Sequence, residues 1–204
     1  MLTRRTLLLS PPALAALAAA TSGPAARAGS PAQATQFINT IAQQIIAIID
    51  KGAAPTEKSA QLQQLIDRDV AVDQIAQFCL GRYWRTATPA QRTQYAQLFH
   101  HVLLQSITGH LGEYKGITYT LGRPVAGEGG TEVPSVVKRP GAASANLTWV
   151  VADVGGSMKV IDLIAEGTSL KVTQRSDYSG FLDSHDGNVG ALIEAMKRQA
   201  HRTG

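Results

Sequence analysis

From Ala34 to Asp50 the apolar residues Phe37, Ile38, Ile41, Ile45, Ile48 and Ile49 return every three or four positions, with Gln43 and Gln44 between them. That period gathers them on one side of a helix, so the spacing predicts an amphipathic helix. The run from Gly52 to Pro55 ends it. Leu62, Leu65 and Ile66 mark a second helix beginning near Thr56, where a Thr-Glu-Lys-Ser opening offers a cap. Asp73 is expected to cap a short third helix through Ile75, Ala76, Phe78 and Cys79, stopped by Gly81. Thr88-Pro89-Ala90-Gln91 is a helix start by three signals: a threonine cap, proline at the first helical position, and glutamine three residues after the cap. The stripe of Tyr95, Leu98, Phe99, Val102, Leu103 and Ile107 carries that helix to about His110, and Gly112 to Gly116 closes it.

Beyond Ile117 the helical period gives way to alternation. Ile117 to Leu121, Thr131 to Lys138, Asn146 to Asp153, Met158 to Ile164 and Ser169 to Gln174 are β-prone runs separated by glycine-rich turns such as Gly127 to Gly130 and Gly155-Gly156. They predict an antiparallel meander. Alternation puts Leu147, Trp149 and Val151 on one face of a strand, and Met158, Val160 and Asp162 on one face of the next. A final helix from about Val189 to His201 carries Leu192, Ile193 and Met196, with Lys197, Arg198 and Arg202 suiting its C-terminal dipole. The order of helices, sheet, helix predicts an α+β domain: several helices packed on one face of a curved, mainly antiparallel sheet of four to five strands.

Composition changes this picture at the N-terminus. Of 204 residues, 44% are hydrophobic and 17% charged, ordinary globular material, and the formal net charge of +4 invites a nucleic-acid partner. Three of the 19 basic residues, Arg4, Arg5 and Arg27, lie in the first 28, which hold no acids, leaving 16 basic against 15 acidic side chains. The basic excess disappears, and with it the nucleic-acid reading. Residues 1–28 have a charged start, an apolar run from Leu7 to Ala20 broken by Pro11 and Pro12, and Ala26-Arg27-Ala28 as a cleavage site. They are expected to be an export signal, leaving residues 29–204 as one domain. A membrane anchor needs about 20 uninterrupted apolar residues. Thr3 to Leu8 also resembles a twin-arginine signal, so the route stays open. Cys79 is the one cysteine, so neither an intrachain disulfide nor a cysteine-based metal site is available.

Candidate chemistry is sparse. His100 and His101 point apart on a helix, and no histidine pair has the spacing of an H-E-x-x-H metal site. Asp67, Asp69 and Asp73 lack the glycine and distal glutamate of a calcium loop and are expected to be capping and surface acids. No nucleophile elbow, P-loop or dinucleotide fingerprint occurs. Ser169 with Asp162 and a histidine would be the one assembly open to an enzyme, and an ion pair of Asp162 with Arg175 is the structural alternative. The apolar surplus is the more telling feature. Either all of it is core, or the helices lean on the sheet without filling it and enclose an apolar cavity for a ligand. Arg82 to Arg85 form the bend between two helices, where Tyr83 and Trp84 either wedge the junction or meet that ligand.

Leu80-Gly81-Arg82-Tyr83-Trp84-Arg85, then Pro89, Gln91-Arg92 and Phe99, are followed after the strands by Lys159-Val160, Asp162-Leu163, Glu166-Gly167, Ser169-Leu170 and Arg175. In this order, and over about Ala34 to Arg198, the chain resembles the MlaC family of periplasmic phospholipid-binding proteins, also called toluene-tolerance proteins. The resemblance implies a soluble periplasmic carrier, without cofactor, metal or catalytic residues. Such a carrier holds the acyl tails of a phospholipid between helices and a curved sheet. Its implied partners are an inner-membrane MCE-domain protein of an ABC transporter and an outer-membrane lipoprotein complex, met transiently. A hopanoid or other polycyclic lipid is the alternative cargo. The chain departs from the family pattern at Met158, where tryptophan is common, and at Ile161 and Ser106-Ile107, where tyrosine is frequent. The lipid-lining candidates are Ile75, Phe78, Tyr83, Trp84, Phe99, Val102 and Leu103 from the helices. From the strands come Leu147, Trp149, Val160 and Leu163. A small-molecule enzyme and a structural adaptor with a flat apolar patch are the readings from other classes.

Overall fold

Ser30 opens the first helix: its hydroxyl accepts from the Gln33 N–H while the Gln33 side chain accepts from the Ser30 N–H, satisfying two donors reciprocally. The computed structural model describes residues 30–109, 114–127 and 129–202. The expected export signal 1–28, His110, Gly112 and the Arg202 side chain lie outside the described residues. Helices α1 (Pro31–Asp50), α2 (Pro55–Asp69), α3 (Val72–Leu80), α4 (Tyr83–Thr86) and α5 (Pro89–Thr108) come first. Strands β1 (Thr118–Leu121), β2 (Val125–Ala126), β3 (Thr131–Lys138), β4 (Ala145–Val154), β5 (Ser157–Ala165) and β6 (Thr168–Ser169) follow. Helices α6 (Leu170–Asp183) and α7 (Val189–Arg202) complete the chain.

The expected start of α5 holds in full, with Thr88 and Gln91 forming the same reciprocal cap. Two other caps differ. Ala54 precedes α2 and offers no side chain, so Thr56 caps nothing; Pro55 takes the first turn, and Glu57 meets the positive end of the dipole. Asp73 lies inside the first turn of α3, whose cap is Ala71, held by its N–H to the Val160 carbonyl at 2.9 Å. Gly81 stops α3 at φ +59°, a backbone conformation that costs any residue with a Cβ.

The sheet is curved and open, ordered β1-β3-β4-β5-β6 with β2 also pairing β3, and every ladder is antiparallel. Two two-residue strands raise the expected four or five to six. A Cβ on Gly130 would collide with the Val151 carbonyl oxygen, so the turn into β3 requires glycine there. One expected strand is a helix. Ser169 to Gln174 alternates like a strand, yet the Ser169 hydroxyl accepts from the Val172 N–H and caps α6. Asp162 accepts from the Lys171 N–H at 3.2 Å, placing a carboxylate at the positive end of that helix.

The apolar side chains divide into two cores. Ile38, Ile41 and Ile48 of α1 and Leu62 and Leu65 of α2 pack on Val133, Val151 and Val160 of the sheet. The second core is built almost wholly from helices: Ala76, Cys79, Tyr95, Tyr178, Leu182 and Ile193 are buried together with their neighbours on α3 to α7 and with Ala87 between α4 and α5. Ile66 of α2 belongs to this second core, and the half-buried Val70 touches both. Helices α3 and α6 meanwhile reach β5, which ties the helical layer to the sheet.

Candidate functional site

A β-bulge decides what the sheet presents. The register pairs Val151 with Val160 but Val150 with Asp162, so Ile161 is an extra residue in β5. Met158 and Val160 therefore share a face with Val151, while Asp162 turns to the opposite face beside Val150, correcting the expected alternation. Beyond the bulge Leu163 pairs with Trp149 and Ala165 with Leu147. The four strand candidates, Leu147, Trp149, Val160 and Leu163, thus lie on one face. The Trp149 indole N–H donates to the Ser135 hydroxyl at 3.1 Å, and that hydroxyl donates to the Leu147 carbonyl at 3.1 Å. The polar end of the indole is satisfied, and the ring packs half-buried against the first core.

The helix candidates divide. Tyr83 and Phe99 are buried in the helical core, and Ile75, Phe78, Trp84 and Leu103 pack half-buried against it. Trp84 stands edge-on to Tyr95 with ring centroids 6.5 Å apart and carries the Arg92 guanidinium 5.6 Å above its ring. Arg92 also donates to the Trp84 carbonyl at 2.8 Å. Tyr83 donates to the Asp183 carboxylate, which Arg82 also meets. These contacts pin α4 as the wedge between α3, α5 and α6. Val102, Leu147 and Leu163 are the candidates that stay half-buried and belong to neither core.

Two of the clefts among the described residues bear on this architecture. The larger, about 880 Å³, lies between α1 and β1 and is lined by Thr35, Gln36, Asn39, Tyr119, Leu121 and Pro124 among others. Tyr119 donates to the Asn39 side chain at 2.7 Å across it. None of these residues was a candidate from sequence; the alternation of Tyr119 and Leu121 in β1 was the available signal. The smaller, about 510 Å³, sits among α2, α3, α5 and β5 and holds Asp67, His100 and Lys159. There His100 Nε2 lies 2.7 Å from Asp67 Oδ1.

The arrangement offers little to catalysis. Asp162 is buried, and its oxygens accept from Ser169 Oγ at 2.6 Å and from the Leu163 and Lys171 N–H groups. Its closest cation is Lys171 at 4.0 Å, not the expected Arg175. Among the described residues no histidine bonds Ser169, and no three His, Cys, Asp or Glu side chains gather as metal ligands. Burial pushes the Cys79 thiol up to about 12, so it stays a protonated apolar side chain. No helix among the described residues is long and apolar enough to cross a membrane.

The Asp183 carboxyl is held below its ordinary 3.8, first by the Tyr83 hydroxyl and then by Arg82. Because the folded pKa is depressed, this contribution to stability is complete above pH 3.8 and is lost as the pH falls through the folded value. In Tyr83→Phe the Asp183 midpoint, followed by carboxyl carbon NMR, should rise toward 3.8; an unmoved midpoint would remove Tyr83 as the cause.

One comparison gives a family and another a fold. The family model described as MlaC protein matches residues 39–198. A solved structure of a phospholipid-binding protein from Ralstonia solanacearum, in complex with a phospholipid, has the same fold, with a TM-score of 0.71. The two chains are 22% identical, and the match covers 82% of this chain and 97% of the other.

Proposed function

Because this chain belongs to the MlaC family, we propose that it is a periplasmic carrier that binds a phospholipid by its acyl tails and shuttles it between the two membranes. On this reading residues 1–28 are removed on export. The loaded protein docks transiently on an outer-membrane lipoprotein complex and on the MCE-domain protein of an inner-membrane ABC transporter. The Ralstonia solanacearum protein of the same fold holds a phospholipid, which favours this cargo over a substrate to be turned over.

One observation in this chain carries the proposal. The sheet face bearing Leu147, Trp149, Val160 and Leu163 is apolar, yet Leu147 and Leu163 join neither packed core. A well-packed domain leaves few such side chains on the side facing its helices, because interiors fill to crystal density. Acyl chains complete the packing. Each methylene removed from water contributes about 0.8 kcal/mol, so two tails bind without any charged anchor.

Protein purified from its own periplasm and sprayed under native conditions should carry about one lipid per chain, identified by organic extraction. A chain that is reproducibly lipid-free, and takes up none from phospholipid vesicles, would end the carrier proposal. Recovery of a polycyclic lipid in place of a diacyl one would reassign the cargo.

A further inference from the structure

Lys171, Arg175, Tyr178 and Leu182 fall on one stripe of α6; the last two are buried, Lys171 is half-buried and Arg175 is exposed. Its first two turns therefore bring cations to positions where such a stripe ordinarily carries apolar side chains. Both cations lie over the Phe78 ring, with Lys171 Nζ 5.2 Å and Arg175 Cζ 4.8 Å from its centroid. The Arg175 guanidinium also occupies the room a side chain at Gly81 would need, its Nε 3.2 Å from where a Cβ would stand. It lies beside the C-terminus of α3, whose negative dipole end holds it in place without neutralising it.

Among the described residues no carboxylate pairs with Arg175, and Lys171 has only Asp162 at 4.0 Å, whose oxygens already serve Ser169 and two backbone N–H groups. Elsewhere Arg68, Arg82 and Arg92 use their donors on Asp69, Asp183 and the Trp84 and Arg85 carbonyls. Beside Lys171, Leu170 is 48% and Val172 52% exposed. Since α3 and α6 both pack on β5, the cations stand where the helical layer meets the sheet.

We infer that Lys171 and Arg175 form an anion site that takes the phosphodiester of the cargo's headgroup at the edge of the helix–sheet seam, an inference that rests on the carrier reading. A guanidinium presents a planar fork of donors matched to phosphate oxygens, and an ammonium one turn away adds a second charge. The exposed aliphatic neighbours suit the glycerol and first methylenes below that phosphate.

The test compares phosphatidylglycerol with diacylglycerol of the same chains, each presented to lipid-free protein in detergent micelles. The wild type should bind phosphatidylglycerol about tenfold more tightly, equal to about 1.4 kcal/mol. In Lys171→Gln/Arg175→Gln the ratio should collapse to near one, while Arg175→Lys should retain most of it. Thermal melts confirm that each variant folds, and Lys171→Gln alone should lose part of the preference if the double variant does not. A ratio unchanged in the folded double variant overturns the site while leaving the carrier reading intact. Wild type that binds neither lipid overturns the carrier reading and this inference together. Inorganic phosphate should bind only weakly and be displaced by phosphatidylglycerol; phosphate that stays bound beside the lipid overturns the headgroup assignment.

Discussion

Truncating Tyr95 to alanine is expected to lower the unfolding free energy by about 3–5 kcal/mol, the cost of emptying a large aromatic site in a packed core. Tyr95 has no exposed surface and sits among the rings of Trp84, Phe99 and Tyr178 at centroid distances of 6.0 to 6.5 Å. Its hydroxyl donates to the Ala76 carbonyl at 2.9 Å, tying α5 to α3. Tyr95→Phe keeps the ring and loses that bond, so it should cost only about 1 kcal/mol. Burial also raises the phenol's pKa well above 10.0, and Tyr178 moves the same way. The folded chain therefore keeps its proton where the unfolded chain would lose it. This stabilisation is complete below pH 10.0 and is lost as the pH climbs toward the folded values. Urea titrations at neutral pH and above pH 10 read both effects. A Tyr95→Ala variant within about 1 kcal/mol of wild type would mean that the helical core is not the stabilising unit described here.

Why some of this was legible in the chain, and some was not, follows from the kind of signal each element carries. Helix α5 announced itself because its cap is local: Thr88, Pro89 and Gln91 satisfy their own backbone, so no distant partner is needed to read them. Helix α6 did not, because two cations open the stripe that Tyr178 and Leu182 continue, and Leu170 and Val172, the apolar residues that mimic a strand, face solvent. Its Ser169 cap is in turn held by Asp162, which is far enough back in the chain to look like an isolated strand acid. The bulge at Ile161 was invisible for a similar reason. A register shift is a property of two strands, and the adjacent apolar residues Val160 and Ile161 do not by themselves locate one. The candidate site shared this limit. Periodicity finds apolar faces, but whether Trp84 meets a ligand or the edge of Tyr95 depends on how three helices cross.

Placing a carboxylate at Leu147 is expected to abolish lipid retention while leaving the fold in place, and this separates a binding face from a core more sharply than any truncation. Leu147 is half-buried and outside both cores, and the bond it makes to Ser135 comes from its backbone carbonyl, which Leu147→Asp keeps. Without lipid the new carboxylate stays hydrated. With acyl tails laid across the sheet it is stripped of water with no partner, costing several kcal/mol, so retention should fall at least about 100-fold. Val133→Asp on the same face is the contrast. Val133 is fully buried beneath α1, so a charge there should unfold the chain whether or not lipid is present. Leu103→Asp should behave like Val133→Asp because Leu103 packs on the helical core, whereas Val102→Asp should behave like Leu147→Asp. Native mass spectrometry for lipid and circular dichroism for fold, run on all four, decide the matter. A Leu147→Asp protein that folds and still carries its full lipid would move the binding face elsewhere, with the α1–β1 cleft the next place to look.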